Sequence, residues 1–436
     1  MGLLQPFQRL SAIQRRAFTA CFMGWTLDAF DFFLLTYCLD SVGATFHLGL
    51  KTVAESLFWT LAMRPVGALL FGWMAERFGR RPTLMVNIVC FSVFELASAF
   101  APSWPVFLVS RALFGVAMGG EWGVGAALAM ESLPAEGRGF FSGLLQEGYV
   151  VGNLIAAGVA GLFGLFVAHA HPQGFWGSWR VLFVIGASAS LLVFYVLWGV
   201  EESPAWEAGR RERALRRGKP RKALGGRARE GISLLGRYGM SFLFLMVLMF
   251  AFNSLSHGTQ DLYATFVKHD DGLSVPTASA VAMVGALGAL LGGMVCGTLS
   301  EKFGRRRTIV AAALMAIPMI PLWAWSHTAV MLAVGGFMMQ FMVQGAWGII
   351  PVHLNELAPP AVRAVFPGLA YQLGNLMASR NSVFQAGFAA RLYGGRLAPV
   401  MAWTVLIGAL LVAAVTAMGP EAKGADLSGV TQRDSV

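Results

Sequence analysis

Charge is scarce in this chain. Only 13% of its 436 residues are Asp, Glu, Lys or Arg, about half the ~25% usual for a soluble globular protein. The deficit excludes an ordinary water-soluble domain, because lipid-facing surface must be apolar and a charge at the bilayer centre costs at least ~2.5 kcal/mol. Cysteine is also scarce. The four residues Cys21, Cys38, Cys90 and Cys296 lie in or at the edge of apolar stretches. None is spaced as a redox or metal pair, so they read as small packing residues. No nucleophile–base pair or metal set stands out, so no enzyme, cofactor or metal is expected. Nor does the polar, basic start of the chain look like a cleaved leader.

What the chain has is apolar length. Hydrophobic residues make up 56% of it, with a mean hydropathy of +0.62. A membrane-spanning helix needs about 20 mostly apolar residues. Twelve candidate spans follow: 17–42, 52–76, 83–101, 105–131, 139–168, 178–199, 239–267, 276–300, 308–325, 328–355, 364–390 and 398–418. The net charge of +10 does not point to nucleic acid, because the basic residues follow topology. Both termini and the loops from even to odd helices hold 25 of the 33 Lys and Arg. The positive-inside rule makes that side the cytoplasm. The expected location is the inner (plasma) membrane, multi-pass, with both termini cytoplasmic. The expected division is 1–200 as a first six-helix bundle, 201–237 as a basic linker, 238–420 as a second bundle and 421–436 as a tail.

The two halves repeat. Residues 72–81 align with 297–306, and the same offset of 225 pairs Trp122 with Trp347, Glu131 with Glu356, Pro134 with Pro359 and Arg138 with Arg363. Parallel repeats of this kind place substrate at the midplane between halves. Both segments carry Gly-x-x-x-Glu-Arg/Lys-x-Gly-Arg-Arg. This resembles the loop that marks the major facilitator superfamily, and the resemblance implies an all-α membrane fold of twelve helices in two pseudo-symmetric six-helix bundles. Arginines here can bridge to acids and carbonyls at neighbouring helix ends. A cytoplasmic gate is therefore expected from Glu76, Arg80, Arg81, Glu131 and Arg138, and from Glu301, Arg305, Arg306, Glu356 and Arg363.

Ionisable groups deep in spans are functional candidates. In helix seven, Asn253, His257, Asp261 and Thr265 recur every four residues, with Ser256 and Gln260 beside them. They form one helical stripe, which cannot cheaply face lipid and should line a wet cavity; a polar seam between helices, or a frayed outer helix end for Asp261, is the alternative. The segment also resembles the Asn-x-x-Ser/Thr-His-x-Ser/Thr-Gln-Asp-x-x-x-Thr pattern of the fungal lactate/pyruvate–proton symporters. Asn253, Ser256, His257, Thr259, Gln260, Asp261 and Thr265 fill every fixed position. The resemblance implies substrate and proton handling by Asn253, His257, Gln260 and Asp261.

Helix one carries Asp28-Ala29-Phe30-Asp31, which is similar to the start of the wider sialate and carboxylate proton-symporter group. A carboxylate held out of water takes up a proton more readily, so Asp28 and Asp31 are proton-coupling candidates. An ion pair with a nearby arginine is the structural alternative. Arg64 lies about 18 Å below Glu76 at the helical rise, near mid-membrane. Its planar fork suits a carboxylate, either a substrate or Asp28 or Asp31. Arg380 in helix eleven, about 25 Å from Arg363 and so in the outer part of the membrane, is a second anion or outer-gate candidate with Asp261; snorkelling to the periplasm is the alternative. Gln372 and Asn375, in a stretch that also resembles the lactate symporters, are expected to face the cavity.

Glu121 in helix four and Glu147 in helix five are further proton-carrier candidates. A mutual or arginine-paired network inside the first half is equally open for them. Glu121 belongs to the pattern of bacterial sialate-like carriers and not to the fungal one.

The expected activity is import of a small monocarboxylate of the lactate/pyruvate type with a proton, by alternating access of a monomer. Sialic acid, another sugar acid or an aromatic acid is the second reading. A non-transporting sensor is a third, but the tail after Gly419 is too short for a large output domain.

Overall fold

The computed structural model describes residues 7, 10–170, 174–215, 224–425 and 427. Part of the basic linker and most of the C-terminal tail lie outside the described residues.

The first half runs helix one (Ala12–Phe46), helix two (Leu50–Phe78), helix three (Arg80–Ala99) and helix four (Trp104–Ser132). Helix five follows in two pieces, Arg138–Gln146 and Gly148–Ala170, with Glu147 at the joint. Helix six runs Arg180–Ala187 and Leu192–Gly199. A short polar helix, Pro204–Leu215, opens the linker.

The second half opens with helix seven, Leu224–Gln260 and then Tyr263–His269. Helix eight (Val275–Phe303) and helix nine (Arg305–Ala316, then Ile320–Ala324) follow. Helix ten is Ala329–Gly348 with Ile350–Leu357. Helix eleven is Phe366–Ala378 with Asn381–Leu392, and helix twelve is Ala398–Met418. Among the described residues, eleven of these are long and apolar enough to cross a membrane. Helix eleven is the twelfth span, divided by a turn at Ser379–Arg380.

Local sequence explains the ends. Ser11 and Gln14 close a reciprocal cap at the start of helix one, satisfying amides that a helix leaves open. The two repeat loops each turn on one glycine, Gly79 at φ 113° and Gly304 at φ 96°. Side-chain-bearing residues avoid that region. Large apolar residues on one stripe, such as Val66, Leu69 and Trp73 of helix two, are exposed, as a lipid-facing surface requires.

Close backbone approach fixes the interior of each half. A Cβ on Gly67 would strike the Val116 carbonyl, one on Gly115 that of Thr60, and one on Gly119 that of Arg64. Helices two and four therefore touch backbone to backbone, as small residues permit in membranes. The second half repeats the device, with Gly288 against Phe337 and Gly292 against Phe341.

Candidate substrate cavity

A cavity of about 490 Å³ lies between the halves. Helix two contributes Arg64 and Leu61, and helix five Gln146, Tyr149 and Asn153. Helix seven contributes Asn253, Ser256, His257, Gln260 and Asp261. Helix ten adds Gln340 and Gln344, and helix eleven Tyr371 and Asn375. The polar stripe of helix seven thus meets Arg64 across one chamber.

Pro65 follows Arg64 inside helix two. It has no N–H to give the carbonyl one turn back, and that carbonyl belongs to cavity-lining Leu61. Helix seven breaks after Gln260 on the cavity wall. Helix eleven satisfies carbonyls near that break: Asn381 Nδ2 donates to Ser254 O at 2.9 Å and Gln385 Nε2 to Gly258 O at 3.0 Å. Interrupted backbone at membrane depth is tolerable where protein or a cavity meets it.

His257 is held at both ring nitrogens. Nδ1 lies 3.1 Å from Asp261 Oδ1 and Nε2 lies 2.8 Å from Asn375 Oδ1. Ser382 Oγ donates to the other Asp261 oxygen at 2.7 Å. Asp261 therefore orients the imidazole, and its bonds go to His257 and Ser382, not to Arg380. Arg380 is exposed at the break in helix eleven and is not part of the cavity wall. Gln372 also lies off the wall, buried, with no hydrogen bond at either amide atom among the described residues. Asn375, Asn253 and Gln260 line the cavity as expected.

Arg64 is buried, and two of its guanidinium nitrogens have no hydrogen-bond partner among the described residues. No carboxylate among those residues lies within 4.0 Å of it. The direct ion pair with Asp28 or Asp31 considered from sequence is absent. Both aspartates instead sit behind the wall in a shared electrostatic cluster. Asp28 interacts with Arg64, Arg111 and Glu95, Asp31 with Glu95, Asp28 and Arg111, and Glu121 with Asp28 and Arg64. All four carboxylates are fully buried. Only Glu95 has a direct partner, Arg111 at 2.5 Å, while Asp28, Asp31 and Glu121 have no hydrogen bond among the described residues.

Sequence reading missed Glu95, although a lone acid amid helix three, level with Arg111 in helix four, was the available signal. It also missed the Gln340–Gln344 pair, spaced by four in helix ten. Glu147 lies apart from this cluster, buried at the seam between halves.

The repeat-loop end is closed. Arg80 pairs with Glu131 at 3.1 Å and Glu76 at 3.2 Å, and Arg305 pairs with Glu356 at 3.1 Å and Glu301 at 3.0 Å. Across the seam, Ala364 N–H donates to Glu76 at 3.0 Å and Gly139 N–H donates to Glu301. Glu202 accepts from the Arg80 and Arg81 amides, and Glu421 does the same for Arg305 and Arg306. Burial makes the Glu202 carboxyl harder to ionise than usual, against the pull of those amides and Arg80. Arg81 and Arg306 donate to the ends of helices six and twelve, at Leu197 O and Gly419 O. Arg138 bonds Leu133 O and Ala425 O, and Arg363 bonds Leu427 O.

The sequence aligns over most of its length with known carriers. It is 29% identical over 409 residues to a carboxylic acid transporter protein homolog of Saccharomyces cerevisiae, covering 89% of this chain but 64% of that longer protein. It is 28% identical to a probable 4-methylmuconolactone transporter of Cupriavidus pinatubonensis, over 97% of this chain and 94% of that one. The fold superposes on the proton:xylose symporter XylE bound to 6-bromo-6-deoxy-D-glucose, with a TM-score of 0.75 at 21% identity over 96% and 98% of the two chains. Residues 16–380 match the Major Facilitator Superfamily, and this multi-pass membrane protein belongs to that superfamily of transporters.

Proposed function

We propose that the protein is a proton-coupled symporter of an organic monocarboxylate, of the lactate/pyruvate type, in the inner membrane with both termini cytoplasmic. The observation that carries the reading is Arg64. It is a buried cation without an ion-pair partner among the described residues, in the wall of a cavity shared with the His257 stripe. Such a group is costly to bury, and an anionic substrate would supply the missing partner with a bidentate fit. The yeast relative, named for carboxylic acids, points the same way.

Charge balance supports the proton. Among the described residues, the cations that Asp28, Asp31, Glu95 and Glu121 interact with are Arg64 and Arg111. Two carboxylates in excess are held more cheaply with protons than as bare charges. Substrate occupying Arg64 adds a further negative charge and strengthens proton binding, which couples the two loads. Alternating access follows if the closed loop end opens as the opposite side shuts, with the halves joined through the basic linker 201–237 in a monomer.

The test is uptake of radiolabelled lactate by proteoliposomes under an inward proton gradient. Accumulation that an uncoupler collapses is expected, and no gradient-driven uptake of any carboxylate refutes the reading.

A second reading is a larger hydroxylated or cyclic acid. A cavity of about 490 Å³ with amides at Gln146, Asn153, Asn253, Gln260, Gln340, Gln344 and Asn375 exceeds the needs of a three-carbon acid. Stronger competition by sugar acids than by pyruvate would select it.

A further inference from the structure

Helices five and eight seal the halves together along a glycine stripe. Gly139 lies against the Gly297 carbonyl and Gly143 against the Gly293 carbonyl, so that no Cβ fits at either place. One more turn along helix five, the same stripe reaches Glu147. Its side chain lies directly over Gly293 of the other half, where a Cβ would strike the carboxylate. Glu147 is 1% exposed. Its neighbour Gln146 lines the cavity, as does Ala289, one turn beyond Gly293 on helix eight. Glu147 therefore occupies the point where the sealed seam meets the cavity floor.

No cation faces it. Helix eight presents Gly293, helix ten brings Gly348 to the same contact, and helix one brings Trp25 and Thr26 against Gly148. The ionisable groups of the elements packed on helix five lie elsewhere. Helix one carries Arg15, Arg16, Cys21, Asp28, Asp31, Tyr37 and Cys38, and helix four Arg111, Glu121 and Glu131. Helix six carries Arg180 and Tyr195, helix eight Cys296, Glu301 and Lys302, and helix ten His353 and Glu356. Arg138, Tyr149 and His169 lie on helix five itself. Among the described residues none of these forms an ion pair or an electrostatic interaction with Glu147, and neither carboxylate oxygen has a hydrogen bond.

We propose that Glu147 is a proton-operated lock on the seam between halves. With a proton, its side chain is neutral and the helix five–eight stripe closes over it. Without one, a bare charge would sit against Gly293 with no partner, and the state in which the stripe parts and water reaches it is favoured. A proton taken from the cavity side would thus be released as the repeat-loop end opens. This deepens the symport reading, because it ties the closing of one gate to a proton, yet it does not depend on which acid is carried.

The test uses the purified full-length chain without substrate, with Cys21, Cys38, Cys90 and Cys296 replaced. Spin labels go at Arg77→Cys and Lys302→Cys, two exposed positions at the repeat-loop ends of opposite halves. Electron–electron resonance then gives the distance distribution against pH. The long-distance, open population of the parent is expected to rise by about threefold or more from mildly acid to mildly alkaline pH. Glu147→Gln and Glu147→Ala are expected to stay closed across that range while remaining monodisperse, and Glu147→Asp to restore the shift. A parent that does not shift, or Gln and Ala variants that follow it, overturns the lock. Failure of carboxylate uptake would leave these distances unaffected and would count only against the substrate reading.

Discussion

Glu76 accepts a hydrogen bond from the backbone N–H of Ala364 at 3.0 Å, across the seam between the halves. The same carboxylate is held by Arg80 of its own half. Ala364 precedes helix eleven (Phe366–Ala378), so the acid meets amides at a helix start, where negative charge is favoured. Glu301 repeats the arrangement at the Gly139 amide.

Replacing either acid should loosen the closed end. Each cross-seam contact of this kind contributes about 1 kcal/mol, or roughly a fivefold change in population. Glu76→Ala is expected to speed amide hydrogen exchange at Ala364 and the first turn of helix eleven by that factor. Glu301→Ala should do so at Gly139 and the first turn of helix five. Unchanged exchange in both would mean that the seam is held by glycine packing alone.

Much of this arrangement was legible in the sequence because it is periodic. The twelve apolar runs, the 225-residue repeat and the four-residue spacing from Asn253 to Asp261 each announce themselves locally. The unread features join residues far apart in the chain. Glu95 has no partner along helix three, and only the packing of helix four sets Arg111 against it. Glu202 and Glu421 lie beyond the repeats they cap. Counting along helix eleven places Arg380 in the outer part of the membrane but leaves snorkelling, gating and substrate binding all open, because the turn at Ser379–Arg380 that leaves it exposed has no local sequence signal.

Arg64→Ala should abolish uptake while the protein still reaches the membrane. Arg64→Lys keeps a charge but loses the planar fork, so it should raise KM by about tenfold or more with a smaller effect on kcat. His257→Ala should also abolish uptake. Normal transport by Arg64→Ala and His257→Ala together would remove both residues from the substrate site.

Gly119 offers a test of how Arg64 is placed. A side chain there would strike the Arg64 carbonyl, and helix two would have to move. Gly119→Leu is expected to destabilise the first half by about 1–3 kcal/mol, as overpacking does, and to raise KM more than the same change at Gly158, which has nothing within 4 Å of a Cβ. Thermal unfolding and uptake kinetics on the two variants separate the site effect from a general one.

The buried acids of helices one and three should divide by role. Asp28 has no direct partner among the described residues, and Asp28→Asn removes an ionisable group without stranding another. It is expected to lose accumulation driven by a proton gradient but to keep exchange of labelled for unlabelled substrate, since binding survives and only the coupling is gone. Glu95 is bonded to Arg111 in a fully buried pair. Glu95→Ala strands that guanidinium, which typically costs about 3–5 kcal/mol, so it should lower the unfolding temperature and the yield of folded protein. The sign of the pH effect follows from the first case. Parent uptake should rise as the outside becomes more acid, because more of the cluster is loaded with protons, and Asp28→Asn exchange should be flatter with pH. If Asp28→Asn still accumulates substrate with the parent's pH profile, the coupling proton is carried elsewhere, and the excess of carboxylates over guanidiniums in the first half is a structural feature only.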